Sequence, residues 1–283
     1  MPRLFVLGSS GWIPTLARQT VAHMIETRRG LIFLDCGSGI ARLHDPLFQE
    51  MLKRHQRALV LLSHWHHDHI EGLAALPFFL GHMEVTLAGP GPEISGEKAA
   101  DILARFGGAP LLPKPLPDWS ELFSGGFNIV DLRPGKQNIG GEKVEVIVQP
   151  HTHPSVGLRV RDVAYITDTA ERSESAAFAK GAALLLHDAW LDNEGAAEDG
   201  PNALVHASGS GAARVARAAE AKHLVLTHLN PAYDVARLER MFLAAAAIHP
   251  ATQLASDMAT FSFTGGDEAP TPTAAEPTES DAG

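Results

Sequence analysis

Ser63-His64-Trp65-His66-His67-Asp68-His69-Ile70-Glu71-Gly72 places four imidazoles and a carboxylate directly behind the apolar run Arg57-Ala58-Leu59-Val60-Leu61-Leu62. A run of that length with a β-branched residue inside it reads as a buried strand, so the chain leaves the interior and at once presents metal-binding groups. Imidazole nitrogen and carboxylate oxygen are ligands for zinc and its first-row neighbours. His64 and His66 share a face if the turn is locally extended, because side chains alternate with a period of two. Asp68 and His69 are adjacent and need a bend to reach a second ion. A merely solvated, histidine-rich loop is the bland alternative, and it would crowd like charges whenever the imidazoles protonated.

The same arrangement recurs along the chain. A strand at 144–149 runs into His151 and His153, and residues 163–167 end at Asp168. Residues 182–186 end at His187-Asp188, and 224–227 at His228. Separate strand ends that carry His or Asp can gather one site at the rim of a sheet. Between His151 and His153 the residues alone do not choose. A carboxylate has two oxygens, so Asp168 can bridge two cations. His206 stands before an alanine-rich helix at 212–220, for which Ser208 or Ser210 is a ready N-cap.

Around these motifs, strands are expected at 3–7, 84–88, 129–132, 252–255 and 259–263, and a hairpin at 21–27 and 30–34. Helices are expected at 47–55, 71–80, 95–106 and 236–249. The prolines at 113, 115 and 117 exclude regular structure there. Trp119, Leu122 and Phe123 after them are candidates for a pocket mouth or for ordinary packing. Trp65 and His67 are expected to pack behind the metal loop. Residues 191–202 are polar and Gly-rich and read as a loop. From 265 to 283 the chain is Pro/Thr/Ala/Glu with nothing to bury, and reads as a disordered tail behind a 1–264 domain.

Bulk properties narrow the class. Hydrophobic residues at 45% and charged ones at 20% fit a soluble globular protein. The single cysteine, Cys36, excludes an internal disulfide framework and suits a reducing compartment. The apolar run at the start is too short for a secretory signal and no stretch reads as a membrane span, so a cytoplasmic location is expected and a membrane partner is not. The formal charge is −10, with Asp267, Glu268, Glu276, Glu279 and Asp281 in a tail that has no lysine or arginine. That is a poor field for long nucleic acid.

His64-x-His66-x-Asp68-His69 resembles the signature of the metallo-β-lactamase superfamily. Ser63, Ile70, Gly72, Leu73 and Pro77-Phe78-Phe79 resemble its ribonuclease Z and cyclic-nucleotide phosphodiesterase branches. The resemblance implies an α/β fold, a four-layer αββα sandwich with a binuclear site at one rim of its two sheets. It implies two divalent ions and a hydroxide bridging them, with zinc expected and manganese or iron as other fits. By the family's pattern His151 is the third histidine and His153 lies beside the pocket. One ion then takes His64, His66 and His151, the other Asp68, His69 and His228, and Asp168 bridges. Asp35 is expected to hold the metal loop through a ligand imidazole. His187 and Asp188 divide evenly between the pocket and plain strand-end packing. His206 maps onto a histidine that assists phosphodiester cleavage, and Asp68 could orient the attacking group; these two are the catalytic candidates.

The expected function is a metal-dependent hydrolase acting on a small phosphodiester such as a cyclic nucleotide. A ribonuclease Z-like endonuclease is the first alternative, although the arm that branch inserts after its third histidine is missing between His151 and Asp168. An arylsulfatase, a lactonase or a β-lactamase-type hydrolase uses the same ions. A non-catalytic metal-binding module also stands, against which a structural zinc site would use four closed ligands. The expected partner is a small-molecule substrate, and a homodimer is open.

Overall fold

The structure is a computed structural model that describes residues 2–263 except 109, 111, 113–115, 193–199 and 201–203. Most of the 191–202 loop and the whole 265–283 tail therefore lie outside the described residues. One sheet contains β1 (Arg3–Gly8), β2 (Ala22–Glu26), β3 (Leu31–Leu34), β4 (Arg57–Leu61), β5 (Glu84–Pro90) and β6 (Phe127–Leu132). The other contains β7 (Gly135–Ile139), β8 (Glu142–Gln149), β9 (Ser155–Val160), β10 (Val163–Ile166), β11 (Leu184–Asp188), β12 (His223–Thr227) and β13 (Thr252–Leu254). A final strand, β14 (Thr260–Ser262), returns to the first sheet. The strand orders are β14-β1-β2-β3-β4-β5-β6 and β13-β12-β11-β10-β9-β8-β7.

Alternation within the strands sets the layers. Leu4 and Val6 of β1, and Leu59 and Leu61 of β4, enter a core shared with Val144, Leu158 and Tyr165 of the second sheet. Phe5, Leu7, Ala58 and Val60 face the other way, onto the helices of the first sheet. Two faces buried by turns is what a strand inside a sandwich requires. Outside the first sheet lie α1 (Pro46–Arg54), α2 (His67–Ile70), α3 (Leu76–Leu80) and α5 (Ala99–Phe106), while the short α4 (Pro92–Ser95) follows β5 and puts Ile94 into the core between the sheets. Outside the second lie α6 (Ser173–Phe178), α7 (Gly209–Ala218) and α8 (Val235–Ile248). The result is the four-layer αββα sandwich.

Each sheet is antiparallel in one half and parallel in the other. β3 to β6 pair in parallel, as do β10 to β13. Parallel neighbours need crossovers, and the helices lie in them. The ends of β3, β4, β10, β11 and β12 consequently point to the same rim, where the His and Asp residues lie. Caps fix where several helices begin: the Ser208 hydroxyl accepts from Gly211 N at 3.0 Å, and Asp234 Oδ1 from Arg237 N at 2.7 Å. Ser208 is thus the cap that opens α7.

Several local expectations are corrected. The 71–80 helix divides into a 3-10 turn at Glu71–Ala75 and α3. The 95–106 helix is broken at Gly96, whose φ of 81° ends α4 before α5 begins. Of the two alternatives for the residues after the prolines, Trp119 and Phe123 take ordinary packing in the helix-side core, Leu122 is exposed, and none of the three lines the pocket. Trp65 packs against Gly89 and donates to Pro90 O at 3.1 Å as expected, but His67 is exposed at the pocket mouth. Among the described residues no helix is long and apolar enough to cross a membrane.

Candidate metal centre

Asp35, at the end of β3, anchors the loop that follows β4. Its Oδ1 accepts from Ser63 N at 2.6 Å. Its Oδ2 accepts from the Ser63 hydroxyl, from His69 Nδ1 and from the Tyr165 hydroxyl, each at 2.7 Å. Four donors on one buried carboxylate fix its orientation, and the bond to Nδ1 leaves Nε2 of His69 free as a ligand atom. His64 and His66 emerge on one side with ring centroids 4.4 Å apart. The turn of α2 then carries Asp68 and His69 back towards them.

Asp35, Asp168 and His228 all have positive φ, at 59°, 51° and 54°. Left-handed backbone costs an ordinary residue roughly 1–2 kcal/mol. Three instances at strand ends converging on one point mark a place where the surrounding structure overrides local preference. Gly11 is part of the same fit: a Cβ there would come within 2.5 Å of the His228 ring.

The ligand atoms fall into two groups divided by Asp168. Oδ1 of Asp168 lies 3.9 Å from His64 Nε2 and 3.5 Å from His151 Nε2. Oδ2 lies 3.2 Å from His69 Nε2 and 3.5 Å from His228 Nε2. His66 Nδ1 is 3.3 Å from His151 Nε2, and Asp68 Oδ2 is 3.5 Å from His69 Nε2 and 3.4 Å from His228 Nε2. Donor atoms around one tetrahedral zinc sit roughly 3.3 Å apart, given Zn–N bonds of about 2.0–2.1 Å. The observed spacings match that polyhedron edge, and the Nε2 atoms of His64 and His69 are buried with no hydrogen-bond partner. The donor set therefore fits divalent ions, with His64, His66, His151 and Asp168 around one place and Asp68, His69 and His228 around another; Asp168, His206 and His228 make a third group that overlaps both.

The two groups differ electrostatically. Burial pushes His64, His66 and His151 below the usual imidazole range, His151 to about 4. Burial opposes charge on His69 and His228 as well, but the carboxylates Asp68, Asp35 and Asp168 around His69 outweigh it. Asp168, Asp188 and Asp68 do the same for His228, which rises to about 10. Burial raises Asp68 and Asp168, yet their flanking imidazoles carry both well below the ordinary carboxylate value.

His206 completes the rim. Its Nδ1 lies 2.9 Å from Asp188 Oδ2, and its ring stacks on Trp190 at 5.2 Å and on His228 at 5.5 Å. Asp188 Oδ1 accepts from Trp190 N at 3.0 Å and lies 3.6 Å from His228 Nδ1, so one carboxylate ties His206 to the metal rim. Burial works to raise Asp188, but His206 and His228 hold it at about 2. Of the two residues at the end of β11, Asp188 thus belongs to the site. His187 does not: its Nδ1 lies 2.9 Å from the Asp188 carbonyl. His153 likewise joins neither group.

A cavity of about 470 Å³ opens over these residues, with Trp12, Ile13, Trp190 and Val205 among its walls. Sequence reasoning missed Trp12 and Trp190. Trp12, at φ 60°, donates its backbone N–H to Asp68 Oδ2 at 2.6 Å, a contact no side-chain pattern announces. Tyr165 was also missed, although a lone tyrosine inside an apolar strand is itself a sign that its hydroxyl has a buried partner.

Paired His/Asp groups at the rim of an αββα sandwich define a metal-dependent hydrolase of the metallo-β-lactamase type. Residues 31–229 match the model of the Beta-lactamase superfamily domain, and the chain belongs to that superfamily. Among curated relatives it is 26% identical to the "Ribonuclease BN" of Citrobacter koseri, over 91% of this chain and 99% of that protein. The metallo-β-lactamase fold protein YhfI of Bacillus subtilis superposes with a TM-score of 0.71 at 19% identity, covering 92% of this chain and 98% of its own. A diphosphatase from the PhnP family follows at a TM-score of 0.65 and 19% identity, over 93% and 98%. These two share its fold.

Proposed function

We propose that this protein is a phosphoric diester hydrolase whose substrate is a small phosphodiester carrying a planar group, such as a cyclic nucleotide. The observation that carries the reading is the Asp188-oriented His206 standing beside two metal-binding groups, with Asp168 in the first and its Oδ2 within 3.2–3.5 Å of two imidazoles of the second. Two divalent cations held there, zinc in the first instance, would supply an activated water and would screen the negative charge of a phosphodiester. The chain's own residues do the rest. Asp188 Oδ2 accepts the hydrogen bond from His206 Nδ1–H and so orients the ring; in its doubly protonated form His206 keeps that bond and passes the Nε2 proton to the departing oxygen. Trp12 N fixes Asp68 Oδ2 beside the second group, so that Asp68 can also orient the attacking water. Trp12 and Trp190 flank the cavity with aromatic faces, and such faces hold planar rings.

The small cavity and the short β9–β10 hairpin between His151 and Asp168 favour a small substrate over a folded RNA. The ribonuclease Z-like reading keeps second place because a relative named ribonuclease BN aligns over nearly its whole length. A metal-loaded sample assayed against bis(p-nitrophenyl) phosphate, cyclic nucleotides, a tRNA precursor, aryl sulfates and lactones separates the readings. Turnover of the phosphodiesters with about two ions per chain is expected. Cleavage of the tRNA precursor alone would overturn the small-substrate reading, and hydrolysis confined to sulfates or lactones would overturn the phosphodiesterase.

A further inference from the structure

Residues 9–19 leave the end of β1, pass over the metal rim and return to β2. Their hydrogen bonds there go to Asp68 and to the residue after His228, which is to the second metal-binding group. Trp12 N donates to Asp68 Oδ2 at 2.6 Å. Gly11 N donates to Leu229 O at 3.0 Å and Leu229 N to Ser9 O at 2.8 Å, which seats Gly11 against the His228 ring. Trp12 and Ile13 also wall the cavity. The tip of the loop has little packed on it: Trp12 is 67% exposed and Leu16 fully so. What holds the loop to these contacts lies at its base.

Asp257, in the turn between β13 and β14, spans that base with a side chain only 5% exposed. Its Oδ1 accepts from the Ser9 hydroxyl at 2.9 Å and its Oδ2 from Gln19 N at 2.7 Å, so one carboxylate joins both legs of the loop. Ser10 N closes the same gap on Gln19 O at 2.9 Å. The turn that carries Asp257 is pinned to both sheets. Ala255 N donates to Leu226 O of β12 at 2.8 Å, and Met258 N to Val6 O of β1 at 2.7 Å. Met258 has a φ of 70°, a sparsely populated backbone that persists only where its surroundings impose it. Arg42 also reaches Oδ2, at 3.3 Å, but from the 3-10 turn at Ser38–His44 rather than from the loop. After the loop, Thr20 is fixed separately by Ser38 and Glu71.

We propose that Asp257 is a positioning residue for the metal rim: by joining Ser9 to Gln19 it keeps Trp12 N on Asp68 Oδ2 and Gly11 against His228. It acts only through the loop. The inference rests on the rim holding two ions, as proposed above, but not on the identity of the substrate. Without the clasp Asp68 loses its main-chain donor and His228 its backing. The loss therefore falls on the group of Asp68, His69 and His228 and spares His64, His66 and His151.

The test compares Asp257→Asn, Asp257→Ala and Ser9→Ala with Arg42→Gln, all in the full chain. The asparagine keeps the shape but presents a donor where Ser9 or Gln19 needs an acceptor, and Ser9→Ala removes one of the two bonds. Arg42→Gln alters a partner of the same carboxylate that lies outside the loop. In a cobalt titration followed by visible absorption, Asp257→Asn is expected to weaken the second equivalent by about tenfold and leave the first as in the parent. Ser9→Ala should do the same to a smaller degree. Trypsin should cut after Arg18, inside the loop, roughly 5-fold faster or more in Asp257→Asn, the worth of one lost hydrogen bond. Arg42→Gln should be cut at the parent's rate. If Asp257→Ala does not fold, the asparagine and Ser9 variants decide. A residue that merely stabilised the fold would weaken both equivalents together. Neither readout needs a phosphodiester, so a protein inactive on bis(p-nitrophenyl) phosphate would sink the proposed function and leave this inference intact. Equal weakening of the two ions, an unchanged second ion, a loop cut no faster than in the parent, or the same losses in Arg42→Gln would each overturn it.

Discussion

The two halves of the metal rim are made of the same residue types, and their imidazoles are shifted in opposite directions. His64 and His151 share one oxygen of Asp168, His66 lies against His151, and burial keeps all three imidazoles below their usual range. His69 and His228 share its other oxygen and touch Asp68 too, and the carboxylates overcome the same burial penalty. A buried imidazole is a neutral ligand by default, and one in contact with carboxylates holds a proton that a cation must displace. Asp168 belongs to both halves, so removing it is expected to have the largest effect. Asp168→Ala should lose both equivalents of metal and fall to background hydrolysis, as read by metal analysis and turnover. One fully retained ion would assign Asp168 to a single half and break the comparison.

His206→Ala is expected next, at about 10²- to 10⁴-fold in kcat with metal content unchanged. Loss of metal together with activity would make His206 a ligand instead. Asp35→Asn sharpens the contrast between the halves, because Asp35 bonds His69 and no imidazole of the first half. Affinity for the second ion should fall about 10- to 100-fold while the first ion is held as before. Equal weakening in a two-ion titration would show that the halves are not independent.

How far the rim could be read in advance depends on what kind of contact makes it. Strands that end in His or Asp were legible, because an apolar run and a polar stop are both written in side chains. The choice between His151 and His153 was not readable from the residues themselves, since it turns on how the chain bends after β8. β7 escaped notice because Gly-Lys-Gln-Asn-Ile has no apolar alternation; it is an edge strand, held in place by pairing with β8 through the turn at Gly140-Gly141. α6 is short and carries buried Ser175 and Ala176 rather than large apolar residues, so it too lacked a periodic signal. The Trp12 contact to Asp68 is made by main chain, and main-chain donors leave no mark on residue identity.

His23 tests the charge rule away from the metals. It is fully buried, its Nε2 lies 3.2 Å from the Thr227 hydroxyl, and among the described residues no carboxylate pairs with it. Burial pushes it from 6.5 to about 4, Asp35 offsetting only part of the penalty. The unfolded chain therefore binds the proton near pH 6.5 while the native state refuses it until about 4. Stability is full above that window and is lost as pH falls through it, by roughly 3 kcal/mol from this group. Urea unfolding of His23→Leu at neutral and acid pH is expected to show a shallower acid slope than the parent. An unchanged slope would mean that burial alone does not set the state of this imidazole.

The smallest effect is expected at Tyr165, which separates holding Asp35 in place from supplying its charge. The Tyr165 hydroxyl is one of three donors on Asp35 Oδ2, and the ring is fully buried between the sheets. Tyr165→Phe keeps the ring and removes that one hydrogen bond to a carboxylate, a loss of about 2 kcal/mol in stability. Ser63 and His69 remain on Asp35, so the His69 tautomer stays fixed. Affinity for the second ion and kcat should then change by less than about tenfold. If Tyr165→Phe weakens the second ion as much as Asp35→Asn does, the phenol is orienting His69 through Asp35, and the second half of the rim depends on a residue in the core between the sheets.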